Sequence, residues 1–281
     1  MITNSFDYKL PDTKYRNKII NDLINKYTFL NHGSLSQSLC FRNIDYIQIG
    51  NPVNQVLLAG AFHGMEWLTS LLLLHFVREI AEAVTKKTPI SDINISEFLK
   101  HRGVIIVPCI NPDGVEISMH GAKAAGRFSE LVEMASRGET DSWQANARGV
   151  DINHNFNAGW EALHELELSC GITGPARTQY GGQYPESEPE SSCLTKLCKS
   201  ANIRHSLAFH SQGEEIYWSY GENTPKRSEL MARIMAMSSG YVATHPTGLA
   251  VGGGFKDWFI NELKRPSFTV EIGKGKNPLP L

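Results

Sequence analysis

His63 and Glu66 lie three positions apart directly after an apolar run at residues 53–60, and both residue types can bind transition metals. Such a run predicts a buried strand, and open α/β sheets bind their ligands where the strands end. An imidazole and a carboxylate on one short turn can form half of a zinc site. The rest of the chain then has to supply a third ligand, a base and a substrate pocket.

Two further polar residues stand at the ends of apolar segments. His210 follows one predicted strand, and Glu271 lies within another. Taken singly, each has an ordinary interpretation: a hydrogen-bonded structural histidine, and a glutamate on a solvated strand edge. As a set, His63, Glu66 and His210 supply the three protein ligands of a catalytic zinc and leave one coordination position open. Glu271 then remains as a general base toward water at the metal, where the pKa of water falls to about 7.

The elements that must position these residues alternate between strands and helices. The predicted strands are 46–49, 53–60, 104–107, 207–209, 216–218 and 267–272, and the predicted helices lie near 19–24, at 66–84, after 187, at 225–239 and at 257–263. Continuous apolar strands alternating with helices favour a largely parallel sheet covered on both faces. For the helix after residue 187 we expect a capping box, with Ser187 as N-cap and Glu190 three residues later. Residues 120–185 show little periodicity, which predicts long loops over the active face.

The bulk composition is that of an ordinary globular protein. The chain has 281 residues, of which 41% are hydrophobic and 20% charged, and its formal net charge is -2. This balance gives no electrostatic reason to expect binding of nucleic acid or of an anionic membrane. No linker rich in Pro, Gly or Ser divides the chain. We therefore predict a single domain over residues 1–281, with an N-terminal helical segment at 1–45 packed on it.

The sequence favours a cytoplasmic location. Residues 1–7 lack the basic region followed by an apolar one that marks a secretory signal. The most apolar segment, residues 71–74, is soon followed by His75, Arg78 and Glu79, so it is too short to span a bilayer. The five cysteines are odd in number and lack metal-binding spacing, which favours reduced thiols. The oligomeric state stays open.

The ordered set of motifs resembles the zinc carboxypeptidase family. In chain order the set consists of His63-x-x-Glu66, Asn-Pro-Asp-Gly at 111–114, the segment 148–153, His210 and Glu271. The resemblance covers most of the chain and implies a mixed, twisted, mostly parallel eight-stranded α/β sheet with helices on both faces. It also implies one Zn²⁺ per chain, held by His63, Glu66 and His210, with Glu271 as the general base.

Within that family, the chain resembles the bacterial γ-D-glutamyl-L-diamino acid endopeptidases, which cut cell-wall peptides. The segments that carry this narrower resemblance are 180–182, 185–190, 210–218 and 255–259. The resemblance implies a murein peptide as substrate. The bond cleaved would be the one between γ-D-glutamate and meso-diaminopimelate.

The resemblance also assigns roles at the substrate to four residues, and the sequence offers a fifth candidate. Arg148 matches the arginine that steadies the carbonyl oxygen as it becomes an oxyanion, a contact worth about 3 kcal/mol of barrier. Asn153 and His154 occupy the place of the Asn-Arg pair that grips a C-terminal carboxylate in the trimming enzymes. Lys256 stands where those enzymes line the pocket for the residue after the cut. Arg177 is a further candidate for gripping a second substrate carboxylate.

Departures from the family pattern bear on the substrate. Histidine lacks the permanently charged, bidentate fork of arginine, so His154 disfavours tight capture of a free C-terminal carboxylate. This favours cleavage inside a peptide, or a substrate whose carboxylates are placed differently. Lys256 favours an acidic group, such as the side-chain carboxylate of meso-diaminopimelate. The family's mobile tyrosine has no evident counterpart, since its place falls near Leu249.

Three other functions remain as alternatives. A metallocarboxypeptidase that trims protein or peptide C-termini would share the zinc ligands. A non-catalytic module that binds cell-wall peptides would lack turnover. A serine hydrolase would use Ser211 in the His-Ser-Gln-Gly segment together with the later His245. Against it, Phe209 stands where the nucleophile elbow has a glycine.

Overall fold

The computed structural model describes residues 9–281, and their eight strands form one sheet in the order β1-β2-β4-β3-β5-β8-β6-β7. The strands are β1 (Asn31–Gln37), β2 (Asn43–Gly50), β3 (Gln55–Gly60), β4 (Gly103–Val107), β5 (Ile203–His210), β6 (Glu215–Tyr217), β7 (Val242–Thr244) and β8 (Ser267–Glu271). Four of the seven strand pairings are parallel and three are antiparallel. The predicted mixed, mostly parallel sheet is confirmed.

Helices cover both faces of this sheet. Within residues 9–281 they are α1 (Thr13–Lys26), α2 (Leu68–Lys86), α3 (Ile95–His101), α4 (Pro112–His120), α5 (Ser129–Ser136), α6 (Trp160–Ser169), α7 (Pro189–Ser200), α8 (Ser228–Ser239) and α9 (Phe255–Leu263). Side chains of α1, α2 and α3 share one hydrophobic core with Leu58 of β3. Side chains of α7 and α9 share a second core with Leu57. Because successive strand residues point to opposite faces, these two cores lie on opposite sides of the sheet.

Most predicted elements are present, with some ends shifted. The N-terminal amphipathic helix is α1, which buries Ile19, Ile20 and Leu23. The helix predicted from residue 66 begins at Leu68, after a 3-10 turn at Gly64–Glu66. Residues 31–37 form β1 rather than part of a helical segment, and they pair antiparallel with β2. The polar sequence of β1 gives little strand signal of its own, because this strand is specified by pairing with β2.

Two local predictions were wrong. Residues 120–185 contain α5 and α6 as well as loops. The N-cap of α7 is Glu188 rather than Ser187, and no side chain caps this helix. The hydroxyl of Ser187 instead donates to Oε1 of Glu188 at 2.8 Å and accepts from Nδ2 of Asn155 at 2.9 Å. Pro189 starts the helix, since its fixed φ suits the first helical position.

No helix in residues 9–281 is long and apolar enough to cross a membrane. Residues 1–7, for which the sequence predicts no secretory signal, lie outside the described residues. The cytoplasmic location and the assignment of residues 1–281 to one domain stay predictions.

Candidate active site

Three neighbouring parallel strands, β3, β5 and β8, end at the same edge of the sheet. His210 is the last residue of β5 and Glu271 the last of β8, and the two residues are partners in register. β3 ends at Gly60, which pairs with Phe209, so the turn carrying His63 begins beside them. The strand topology thus brings together side chains that are far apart in sequence, as parallel sheets do at their carboxyl edge.

The side chains of His63, Glu66 and His210 converge on one point. Nδ1 of His63 lies 2.7 Å from Oε1 of Glu66, and Nδ1 of His210 lies 3.0 Å from Oε2. The two Nδ1 atoms are 3.3 Å apart. One candidate ligand atom from each of the three residues lies within 4.8 Å of the other two. Two imidazoles and one carboxylate are the donor set of catalytic zinc sites, so these residues fit a zinc ion.

The carboxylate of this cluster is held ionised. Glu66 is only 3% exposed, and burial alone would raise its pKa. The imidazoles of His63 and His210 outweigh burial and lower the pKa of Glu66 to about 2. A buried negative charge facing two ring nitrogens suits a cation, since buried charges are stable only when they are paired or coordinate a metal.

Asp151 orients His63 and was not singled out from the sequence. Its Oδ1 lies 3.0 Å from Nε2 of His63, and its Oδ2 accepts the backbone N–H of Gln179 at 2.9 Å. Burial would raise the pKa of Asp151, but His63 and His154 hold it well below its usual value. A carboxylate on the outer nitrogen of a metal-binding histidine fixes the tautomer and the ring orientation. The available signal was its place in the segment 148–153.

Asn111 and Gly114, the ends of the Asn-Pro-Asp-Gly motif, support the turn that carries His63. Nδ2 of Asn111 donates to the carbonyl oxygen of Phe62 at 3.0 Å, and its Oδ1 accepts the N–H of Gly114 at 2.8 Å. Gly64 packs against the backbone of Gly114 so closely that a Cβ would overlap the Gly114 carbonyl oxygen. The motif therefore sets the position of the turn by direct backbone contact.

A cleft of about 190 Å³ opens beside the ligand cluster. Its lining residues are His63, Gln144, Asp151, Asn153, His154, Gln179, His210, Tyr217, Leu249, Ala250, Gly254, Lys256, Asp257, Thr269 and Glu271. The structure thus brings the predicted substrate contacts Asn153, His154 and Lys256 into one cleft with Glu271. Leu249, near which the place of the family's mobile tyrosine was predicted to fall, also lines this cleft.

Glu271 has the character of a proton acceptor poised near neutral pH. Burial raises its pKa, and the carboxylates of Glu66 and Glu215 add to the effect, so that the pKa of Glu271 rises to about 8. Enzymes place the pKa of a catalytic acid or base near the working pH by such means. Glu271 is therefore able to take up and release a proton at the edge of the ligand cluster.

The pair Asn153 and His154 is anchored by two different elements. Nδ1 of His154 lies 2.8 Å from Oε1 of Glu167, a fully buried residue of α6. Oδ1 of Asn153 accepts the backbone N–H of Phe255 at 3.0 Å, at the start of α9. The amide Nδ2 of Asn153 is then oriented away from that contact and remains as a donor for a ligand.

Lys256 is buried in the wall of the cleft, with 4% exposure. Its Nζ donates to the carbonyl oxygen of Ser219 at 2.8 Å and forms an ion pair with Asp257. An ammonium group has three N–H donors, so one remains for a group in the cleft.

Arg148 and Arg177 are not among the residues that line this cleft. Arg148 lines a neighbouring cavity of about 120 Å³ and binds Glu188, through Nε at 3.3 Å and Nη2 at 3.0 Å. Nη1 of Arg177 donates to Glu139 at 2.9 Å and to Ser142 at 3.1 Å. Their predicted roles at the substrate stay predictions.

The residues of the serine-hydrolase alternative are not brought together. Oγ of Ser211 donates to Oδ1 of Asn277 at 2.8 Å. His245 instead contacts Ser219, with Nδ1 lying 2.7 Å from Oγ. Since a nucleophile and its base must be hydrogen-bonded or close to it, this pair does not form a catalytic unit.

The family assignment follows from sequence as well as geometry. The family model described as zinc carboxypeptidase matches residues 17–280. The chain therefore belongs to the zinc carboxypeptidase family, a family of zinc metallopeptidases.

Three known proteins show what the chain is similar to. Gamma-D-glutamyl-L-diamino acid endopeptidase 1 of Lysinibacillus sphaericus is 33% identical over 264 residues, which cover 93% of this chain and 65% of that protein. This chain thus spans slightly less than two thirds of that relative's length. Carboxypeptidase A from Helicoverpa armigera shares the fold with a TM-score of 0.72 at 20% identity, over 95% of this chain and 66% of the other. Murein-tripeptide amidase MpaA from Escherichia coli O157 does so with a TM-score of 0.54 at 20% identity, over 88% and 84%.

Proposed function

We propose that this chain is a zinc-dependent peptidase that hydrolyses the bond between γ-D-glutamate and meso-diaminopimelate in murein peptides. The observation that carries the reaction class is the convergence of His63, Glu66 and His210 next to Glu271 at one sheet edge. Support for the substrate comes from the similarity to the Lysinibacillus sphaericus endopeptidase and from His154 and Lys256 in the cleft.

The ligand cluster prepares the site for one zinc ion. Zinc in such a site supplies a Lewis acid, which polarises a carbonyl group and makes water nucleophilic near neutral pH. Asp151 holds the ring of His63 so that Nδ1 faces the cluster. Glu66 contributes the negative charge between the two imidazoles.

Glu271 handles the proton in this proposal. Its carboxylate takes the proton that the attacking water loses and then delivers it to the nitrogen of the leaving diaminopimelate. Burial raises the pKa of Glu271 above that of an exposed glutamate, which makes its carboxylate the better proton acceptor. A positioned acid–base residue of this kind contributes roughly 10²–10⁴-fold to the rate.

Arg148 is the proposed donor to the oxyanion. Nε and Nη2 bind Glu188, so the contact would come from Nη1. Glu188 is 2% exposed and would hold the guanidinium in a fixed direction. Such a preorganised donor is worth about 3 kcal/mol in the transition state. Arg177 remains the candidate for a second substrate carboxylate.

The cleft suits the diaminopimelate half of the substrate. Asn153 offers Nδ2 to a carboxylate, and His154 stands beside it in place of a permanently charged arginine. Lys256 offers its remaining N–H to the side-chain carboxylate of diaminopimelate. Recognition of two carboxylates on one residue therefore supports diaminopimelate over an ordinary C-terminal amino acid.

A direct comparison of substrates tests this function. Zinc-loaded protein is offered L-Ala-γ-D-Glu-meso-diaminopimelate beside standard C-terminal peptide substrates. We expect zinc-dependent release of diaminopimelate from the murein peptide. Cleavage of the standard peptides alone would identify a trimming carboxypeptidase instead. Absence of cleavage by fully loaded protein would favour a binding module.

A further inference from the structure

Tyr217 lines the active-site cleft but has no part in the chemistry described above. It is the last residue of β6 and pairs with Thr269 of β8. Two residues away in the same ladder, Glu215 pairs with Glu271. Partners in a ladder and residues two apart in a strand share a face of the sheet. The side chains of Glu215, Tyr217, Thr269 and Glu271 therefore project from the same face.

The phenol of Tyr217 is held by Glu215. Its Oη donates to Oε2 of Glu215 at 2.6 Å. Burial, followed by this hydrogen bond, raises the pKa of Tyr217, so the phenol keeps its proton at neutral pH. Because that proton is committed to Glu215, the lone pairs of Oη remain as an acceptor. Glu215 is thus a positioning residue for a phenol oxygen that accepts hydrogen bonds.

The same cleft contains a donor of complementary chemistry. Lys256 keeps one N–H after its contacts with Ser219 and Asp257. A phenol acceptor beside carboxylates attracts an ammonium group, whereas an ammonium donor attracts a carboxylate. A ligand that carries both groups on one carbon would satisfy Tyr217 and Lys256 together.

We infer that Tyr217 is a specificity-determining residue that accepts a hydrogen bond from the side-chain ammonium of diaminopimelate, while Lys256 binds the carboxylate on the same carbon. This inference rests on the proposed function and adds the choice of diamino acid to it. Lysine is diaminopimelate without that carboxylate, and 2-aminopimelate is diaminopimelate without that ammonium. The cleft therefore selects meso-diaminopimelate over both.

Three tripeptides test the inference when kcat/KM is measured for each. They share L-Ala-γ-D-Glu and end in meso-diaminopimelate, L-lysine or L-2-aminopimelate. Tyr217→Phe is expected to lower kcat/KM by about 10-fold or more for the first two, since hydrogen bonds to charged groups are among the stronger ones. The same variant is expected to leave the 2-aminopimelate peptide unchanged. Lys256→Met is expected to show the reverse selectivity, with the lysine peptide spared.

Tyr46→Phe in β2 is the matched control, because this tyrosine lies outside the lining of the cleft and its variant should behave as wild type. A Tyr217→Phe effect equal for all three peptides would mean a structural role and would overturn the inference, as would no effect on any of them. Both outcomes are measured on Tyr217→Phe alone, so the test remains valid if Lys256→Met fails to fold.

If the proposed function itself were wrong, the three peptides would give a different result. Wild-type protein would then cleave none of the three peptides, and the inference would fall with the function. Cleavage of all three by wild type at similar kcat/KM would leave the function intact and overturn only the assignment of Tyr217.

Discussion

Oδ1 of Asp151 lies 3.0 Å from Nε2 of His63, on the side of the ring opposite the ligand cluster. In the proposed zinc site this contact would decide which ring nitrogen binds the metal, because a proton held between Nε2 and Asp151 would leave Nδ1 as the ligand atom. The two residues are 88 positions apart in the chain. The relationship therefore links the loop before α6 directly to the turn after β3 that carries His63 and Glu66.

Asp151→Asn is expected to weaken zinc binding and catalysis together, each by about 10–100-fold, because the amide is a poorer partner for Nε2 and the ring loses its fixed tautomer. Zinc affinity is measured by competition with a chelator, and kcat/KM on the murein tripeptide. Asp22→Asn, at an exposed position of α1, is the control for loss of a carboxylate. Wild-type affinity and rate in Asp151→Asn would show that this contact does not orient the ligand.

Gly64→Ala is expected to displace the turn that carries His63. The new Cβ would overlap the carbonyl oxygen of Gly114, and overpacking of this kind costs about 1–3 kcal/mol. We expect a lower free energy of unfolding together with reduced zinc affinity, measured by urea titration and chelator competition. Gly174→Ala is the control, since a Cβ there meets nothing within 4 Å. Equal stability and zinc affinity in the two variants would contradict the close-packing role of Gly64.

The buried carboxyl group of Glu190 makes the free energy of unfolding depend on pH. This carboxyl is fully buried on α7, its Oε2 accepts from Nδ2 of Asn146 at 3.3 Å, and its Oε1 has no hydrogen-bond partner among residues 9–281. Burial, with the charges of Asp113 and Glu188, raises the pKa of Glu190 from 4.5 to about 8. A raised folded-state pKa means that the folded chain holds the proton more tightly than the unfolded chain. The contribution of protonated Glu190 to the stability of the folded chain is therefore complete below pH 4.5, and it is lost as the pH rises through 8.

Glu190→Gln is therefore expected to remove this pH dependence. Gln is close in shape to the protonated carboxyl, so the variant and wild type should have similar free energies of unfolding near pH 5. Near pH 9 the variant should be the more stable by an amount on the order of a few kcal/mol. Urea unfolding at both pH values measures the difference, with the exposed Glu222→Gln as control. If the difference in free energy of unfolding between Glu190→Gln and wild type stayed constant with pH, the raised pKa of Glu190 would be contradicted.

The cluster of His63, Glu66 and His210 could be predicted from the sequence because each of these residues follows or ends an apolar strand. β3, β5 and β8 are recognisable individually, and parallel strands meet at one edge. Asp151 could not be found in this way. Its contact with His63 joins two loops that are far apart in the chain, and no local sequence pattern predicts such a contact.

The partners and the burial of the charged groups could not be predicted from the sequence either. Motif position places Arg148 near the site, but the choice of Glu188 as its partner depends on how the start of α7 packs. Lys256 was expected to line the pocket, and the sequence did not indicate that its ammonium group would also be buried against Asp257. β1 was missed because its seven residues are mostly polar, and its pairing with β2 is a tertiary effect.

We propose that Glu271 transfers the proton while His63, Glu66 and His210 hold zinc, and the variant Glu271→Gln separates these two functions. Glu262→Gln, at an exposed position of α9, serves as the control. Zinc content and kcat on L-Ala-γ-D-Glu-meso-diaminopimelate are measured on the same preparation. The variant is expected to hold one zinc per chain, as wild type does, with kcat lowered about 10²–10⁴-fold. A zinc-loaded Glu271→Gln variant that turns over the peptide at the wild-type rate would contradict this proposal.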